Sequence, residues 1–292
     1  RRTDERIWSG VLDRLGAEGS MLYPTSGLAL GLMQDGEHAA AAATAYNNWL
    51  EQHYTSQDDR LFGAGLMAVQ KPDAAVAEIK RCVETRRNFR AMILPAVTAM
   101  PRSYGDEFFW PIFEEAERQN IALAVHGAPS RGMGFDHFDK FVKVHTLSHP
   151  VAIFIQLTDM MFSGVFDAFP KLRVAFLEAG CGWVPFMTDR MDYEYRSLHG
   201  AEVKPKLSRA PSEYFTETGN IWVSTELDER SIKYTIDAIG STRLLYASDY
   251  GHEAPLPHIA AELSEFIADP AYGEEAKANI LCRNGKELYG LS

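Results

Sequence analysis

Seven short apolar runs, each separated from the next by a longer amphipathic stretch, constrain this chain more than any other feature of its sequence. They are "SMLYP" (20–24), "LFGAGLMAV" (61–69), "RAMILPA" (90–96), "IALAVHG" (121–127), "RVAFLEAG" (173–180), "IWVSTEL" (221–227) and "RLLYASD" (243–249). A run that is apolar at nearly every position has no wet face, so it reads as a strand buried on both sides. The stretches between carry helical spacing, as in "DAAVAEIKRCVETRR" and "HPVAIFIQLTDMMFSGVFDAF". Strands alternating with helices specify a parallel sheet covered by helices, either closed into a (β/α)8 TIM barrel or open and doubly wound. No G-x-G-x-x-G or P-loop follows the early strands, which weighs against a nucleotide-binding open sheet. A closed barrel needs eight strands, and seven are found. The helical pattern "RIWSGVLDRLGAEG" precedes the first of them, as though it followed a strand upstream of Arg1, and such a strand is expected there. No low-complexity linker divides the chain, and 292 residues suffice for one large core, so a single domain over 1–292 is expected.

In a parallel barrel the chemistry gathers where the strands end, at the carboxyl-terminal rim. Those ends carry His126 after "IALAV", Glu178 after "RVAFL", Thr225 and Glu226 in "IWVSTEL", and Asp249 after "RLLYAS". Imidazole and carboxylate on separate strand ends suit a divalent metal, Zn²⁺, Mn²⁺ or Fe²⁺. Asp249 reads as a ligand, or as the acceptor of a proton from metal-bound water, or as a helix N-cap. Glu178 reads as a member of the same site, or as a negative charge at the helix start near Cys181.

His145 and His149, four residues apart at the head of a long apolar helix, share a helical face. They lack the glutamate of H-E-x-x-H, so a zincin site is not indicated. His149 is assigned to the rim as a substrate or proton-transfer residue, while His38, His53 and His199 lie in polar segments and read as solvated. No G-x-S-x-G elbow is present. Cys181, between glycines, reads as a small buried filler in preference to a nucleophile.

A net charge of −11 argues against a nucleic acid or an anionic membrane as partner. No apolar stretch nears the roughly 18 residues a membrane span needs. Three scattered cysteines make no disulfide framework and suit a reducing compartment, so a cytoplasmic protein with a small-molecule substrate is expected.

The stretches "FSGVFDAFPKLRVAFLEAGCGWVPFMTDRMD", "LLYASDYGHEAP" and "NILCRNGKELYGL" resemble the amidohydrolase-2 branch of the amidohydrolase superfamily, the group around aminocarboxymuconate-semialdehyde decarboxylase and γ-resorcylate decarboxylase. The likeness runs from about residue 20 to the C-terminus. It implies a distorted (β/α)8 barrel with a divalent metal at the rim. Carried over by position, His126 in "AVHG" is the middle-strand ligand and Asp249 in "ASDY" the last-strand ligand. The first-strand ligand pair of the branch has no counterpart here. The branch commonly places a catalytic histidine in "A-H-G-G" after the fifth strand, where this chain has Glu178 in "L-E-A-G". That departure makes Glu178 a base or a metal ligand, and opens room for a second metal.

Three functions follow. The first is a metal-dependent hydrolase or decarboxylase of a small carboxylated or cyclic substrate. His126, Asp249 and Glu178 are then its metal donors; Asp249, Glu178 and His149 its catalytic groups; Arg190 and His252 its substrate contacts. A salt bridge to a neighbouring acid remains the other reading of Arg190. The second is a non-haem iron oxygenase with one or two metals on the same scaffold. The third is a non-catalytic barrel subunit. The family likeness also implies a homodimer or larger homo-oligomer, and rim loops such as "GAPSRGMGFDHFDKF" and "GHEAPLPH" are expected to set the substrate.

Overall fold

The computed structural model describes residues 5–85, 88–127, 132–252 and 254–291. In chain order, helix α1 (Glu5–Leu15) leads into strand β1 (Ser20–Leu22), then come α2 (Gly36–Leu50), β2 (Leu61–Gly65), α3 (Pro72–Thr85), β3 (Phe89–Pro95), α4 (Trp110–Arg118) and β4 (Ala122–His126). The second half runs through α5 (Phe141–Phe162), α6 (Val165–Ala168), β5 (Val174–Leu177), α7 (Trp183–Arg196), β6 (Ile221–Thr225), α8 (Ile232–Ile239), β7 (Leu244–Tyr246), α9 (Leu256–Ala268), α10 (Glu274–Ala278) and α11 (Asn284–Tyr289). All seven apolar runs form strands. They pair in parallel in the order β1 to β7, each with the next, and curl as a distorted (β/α)8 barrel.

Side chains alternate across a strand, and here the alternation builds two separate cores. One set, Ala91 and Ile93 on β3, Ala122 and Ala124 on β4, Ala175 and Leu177 on β5, Trp222 on β6 and Leu245 on β7, clusters on one face of the sheet. The other set, Met92, Leu94, Leu123, Val125, Val174, Phe176, Val223 and Leu244, packs with helix residues such as Ile79, Ile112, Phe113, Ile153 and Leu157. The first face is rich in alanine because a curled sheet crowds its concave side; the second carries large side chains because it must fill the gap to the helices. Each large aliphatic or aromatic side chain so buried contributes about 1.5–3 kcal/mol. His126 shares the parity of Ala122 and Ala124, so it stands on the alanine-rich face at the rim.

The floor of the sheet is closed by α11. Asn284 donates from Nδ2 to the carbonyls of Ser241 (2.7 Å) and Leu244 (2.6 Å). The buried guanidinium of Arg243, just before β7, donates to the carbonyls of Gly219 (3.1 Å) and Glu217, pairs with Glu287 at 3.2 Å and lies 4.4 Å from the centre of the Trp222 ring. A second knot ties α2 to α3: Asn47 brackets the backbone of Leu66 with both ends of its amide and also donates to Glu78 (2.6 Å), which Arg81 neutralises. No described helix is long and apolar enough to cross a membrane.

Candidate metal centre

Three side chains meet at the rim. His126, Glu178 and His149 each offer one ligand atom, and these atoms lie within 4.8 Å of one another. His126 is the last residue of β4 and is only 8% exposed. Its Nδ1 lies 2.8 Å from the Gly127 carbonyl; with Nδ1–H donating there, the tautomer is fixed and Nε2 is turned to the site. That Nε2 stands 2.8 Å from Glu178 Oε2. Glu178 follows β5 directly, and its backbone N–H donates to Ser224 Oγ on β6 at 2.9 Å.

Glu178 holds φ at +63°, a left-handed conformation that glutamate rarely adopts. Asp249, directly beyond the β7 rim, does the same at +46°. Of the four described non-glycine residues with positive φ, these are the two at the rim, and such outliers gather at functional sites. The left-handed turn ends the strand abruptly and throws the Glu178 carboxylate back towards His126.

His149 comes from the third turn of α5, next to Pro150. Its ring centre is 6.4 Å from that of His126 at 80°, and 5.1 Å from that of His145 at 90°. Gly127 makes this approach possible: a Cβ there would fall 1.9 Å from His149 Nδ1. Burial raises the Glu178 pKa, but the hydrogen bond to His126 and the charges of His126, His149 and His252 outweigh it and hold the carboxyl below its ordinary range. Two imidazoles and an ionised carboxylate, the best buried of them with its second ring nitrogen already anchored, form a donor set that fits a borderline divalent cation.

The structure thus brings together His126 and Glu178, two of the expected donors, and adds His149, which the sequence placed in proton transfer. Asp249 lies outside this group; its carboxylate faces His252 Nδ1 at 3.3 Å. His252 nevertheless sits close enough to Glu178 for its charge to be felt there. Arg190 is not brought to the site. It is exposed on α7 and pairs with Glu194 at 2.8 Å, whereas Val184, Met187 and Met191 of the same helix are buried. Among the described residues no second group of metal donors is present. Parts of the two rim loops, residues 128–131 and Glu253, lie outside the described residues. The sequence reading missed Gly127, whose signal was its place directly after a strand-end histidine, and the turn after β6. There Glu229 accepts from Thr225 Oγ1, Glu226 N, Cys181 N and Ser231 Oγ, all at 2.9–3.0 Å.

The model of the amidohydrolase family matches residues 23–291. The chain belongs to this family. Among curated relatives, the amidohydrolase is 26% identical over 268 residues to 2-amino-3-carboxymuconate-6-semialdehyde decarboxylase of Dictyostelium discoideum, spanning 87% of this chain and 68% of that protein. It is 22% identical over 299 residues to γ-resorcylate decarboxylase of a Polaromonas strain, spanning 97% and 86%. Among solved structures, 2,6-dihydroxybenzoate decarboxylase with bound 2,6-dihydroxybenzoate superimposes with a TM-score of 0.82 at 21% identity, covering all of this chain and 89% of the other. A Polaromonas dihydroxybenzoic acid decarboxylase with bound manganese gives 0.81 at 22% identity, covering 99% and 86%. These likenesses place the amidohydrolase in the decarboxylase branch, as an enzyme of the metal-dependent hydrolase and decarboxylase class.

Proposed function

We propose that this amidohydrolase removes CO2 from a small aromatic or cyclic carboxylate, using one divalent cation held by His126, His149 and Glu178. The meeting of these three donors at the rim is the observation that carries this reading. The manganese in the Polaromonas relative supports Mn²⁺ as the ion. When bound, such a cation polarises and orients a substrate carboxylate or its neighbouring oxygen. The chain's own residues do the rest. His126, locked by Gly127, fixes the direction of approach. The ionised Glu178 keeps the centre near neutrality and so tolerates an anionic ligand. The pair Asp249–His252, next to the group, faces the substrate and handles its proton or hydroxyl.

Hydrolysis at the same centre is the second reading; the names of the relatives favour decarboxylation. The oxygenase reading with two metals is disfavoured by the single donor group among the described residues. Over its length the chain acts as one domain, in a reducing compartment that suits three cysteines held outside any disulfide. Exposed Phe141 and Ile155 on α5 and Phe186 and Tyr193 on α7 suit a homodimer.

The test is metal content and CO2 release together. Protein loaded with Mn²⁺ is expected to hold about one ion per chain, to lose it in His126→Ala, and to release CO2 from hydroxylated benzoates. No CO2 across a broad panel of aromatic and unsaturated acids, with metal bound, rejects decarboxylation.

A further inference from the structure

His126 ends a strand, and the ladder fixes its place. His149 comes from a helix, and the turn of α5 that carries it is weakened. Pro150, next in the chain, has no N–H to donate to the Thr146 carbonyl and crowds it with its ring. The distance between these two donors therefore depends on how the body of α5 is anchored against β3 and β4.

The anchor is Gln156. It lies seven residues after His149, within about 20° of two full turns, so both leave α5 on the side that buries Ala152, Ile153 and Leu157. Gln156 is only 5% exposed, and both ends of its amide are engaged. Nε2 donates to the Ala96 carbonyl at 2.9 Å, and Oε1 accepts from the Tyr104 N–H at 2.9 Å. Ala96 follows β3 directly, and its own N–H donates to the His126 carbonyl at 2.8 Å. The buried Tyr104 closes the circuit: its hydroxyl donates to the Pro95 carbonyl at 2.8 Å, and Pro95 is the register partner of His126. Ala96 thus joins the backbone of one metal donor to the helix that carries another. One turn further along α5, Asp159 fastens the same loop, accepting from Ser103 Oγ and Gly105 N, both at 2.6 Å. The buried loop offers Gln156 one acceptor and one donor side by side. An amide answers both; an ionised carboxylate or an alkyl chain does not.

Resting on the reading of His126, His149 and Glu178 as the metal donors, we propose that Gln156 is a positioning residue of this centre. Through Ala96 and Tyr104 it sets how closely α5, and with it His149, approaches His126. It supplies no ligand atom of its own; its effect reaches the cation only through the placement of His149.

The test compares the full-length parent with Gln156→Met and Tyr104→Phe, using Arg243→Ala at the floor as control. Gln156→Met keeps an unbranched side chain of similar length and loses both hydrogen bonds. Tyr104→Phe loses one hydroxyl and keeps the fold should Gln156→Met not fold. Mn²⁺ titration per folded chain should show binding about 10–100-fold weaker in Gln156→Met, with the number of ions bound at saturation unchanged. Tyr104→Phe should shift the same way by a smaller factor, and Arg243→Ala should match the parent. Unchanged affinity in both Gln156→Met and Tyr104→Phe, or equal weakening in Arg243→Ala, overturns the proposal and makes the amide a structural bond only. Histidine-ring NMR of the metal-free chain reads the same geometry without an ion. The ring signals of His126 and His149, whose centres lie 6.4 Å apart, should move in Gln156→Met and Tyr104→Phe, while those of the exposed His38, His53 and His199 stay. A parent that takes up no Mn²⁺ rejects the metal reading alone. The ring signals then decide, and unmoved His126 and His149 signals overturn the positioning role.

Discussion

The two ends of the sheet solve the same backbone problem with different residues. At the floor, the turns into β3 and β4 place Asn88 and Asn120 at φ of +60° and +55°, and asparagine tolerates that conformation well. At the rim, Glu178 and Asp249 hold +63° and +46°. The floor's charges are tied off: Arg243 spends its guanidinium on carbonyls, Glu287 and the Trp222 ring, and Arg173 donates to the carbonyls of Asn120 and Glu287. At the rim, Glu178 faces His126, Asp249 faces His252, and Glu229 accepts from backbone and hydroxyl donors. The floor uses its polar groups to tie the strand ends and turns to one another and to α11. The rim keeps two of its carboxylates on strained backbone, each turned to a histidine.

If that division is right, substitutions at the two ends separate stability from chemistry. The largest effect should come from His126→Ala: metal content falls from about one ion per chain to near none and activity drops by more than about 10³-fold, while the melting temperature without metal changes little; atomic absorption beside a thermal scan reads both. Arg243→Ala should do the reverse. It leaves the buried Gly219 carbonyl without its donor and empties the space against the Trp222 ring, costs about 1–3 kcal/mol in urea unfolding, and leaves metal bound per folded chain unchanged. Loss of metal in Arg243→Ala would show that the ends are not independent.

Gly127→Ala sharpens the comparison within the rim. The added methyl group displaces His149, so metal affinity should weaken about 10–100-fold by titration calorimetry with the fold retained. The strain itself is measured by the gap between Glu178→Gly and Glu178→Ala, both of which remove the carboxylate. Glycine should be the more stable by about 1 kcal/mol. At Asn120 the native residue and glycine should differ by less than about 0.5 kcal/mol.

The smallest effect concerns pH. The Glu226 pKa is raised from its ordinary 4.5 to about 7 in the folded chain, so its contribution to stability is fully present below 4.5 and is lost as pH rises through 7. Glu78 has the opposite sign. Burial works against its ionisation, but hydrogen bonds from Arg81, Asn47 and Thr44 hold its pKa below the ordinary value, so its contribution is present at neutral pH and fades as acid protonates it. Glu226→Gln should flatten the stability decline between 4.5 and 7, by an amount that solvent at the exposed rim keeps small. Glu78→Gln should flatten the acid limb.

Much of this was legible in the residues. The seven strands could be read because a strand buried on both faces must be apolar throughout, from "LFGAG" to "RLLY". His126 and Glu178 could be placed because each interrupts such a run at its end, where only chemistry or a paired charge repays the desolvation. The partners of these residues could not be read. His149 reaches His126 from a helix that starts fifteen residues further on, through space that Gly127 leaves empty. The left-handed backbone that turns Glu178 inward leaves no mark in residue type, since glutamate is not the residue that conformation selects. Arg190 looked like a carboxylate binder in "TDRMD", but helical spacing gave it Glu194 one turn away. Local sequence determined which side chains stand at strand ends, because periodicity and burial act along the chain. Tertiary packing alone decided which of them share a few ångströms, because those distances depend on the curl of the sheet and on how closely α5 approaches it.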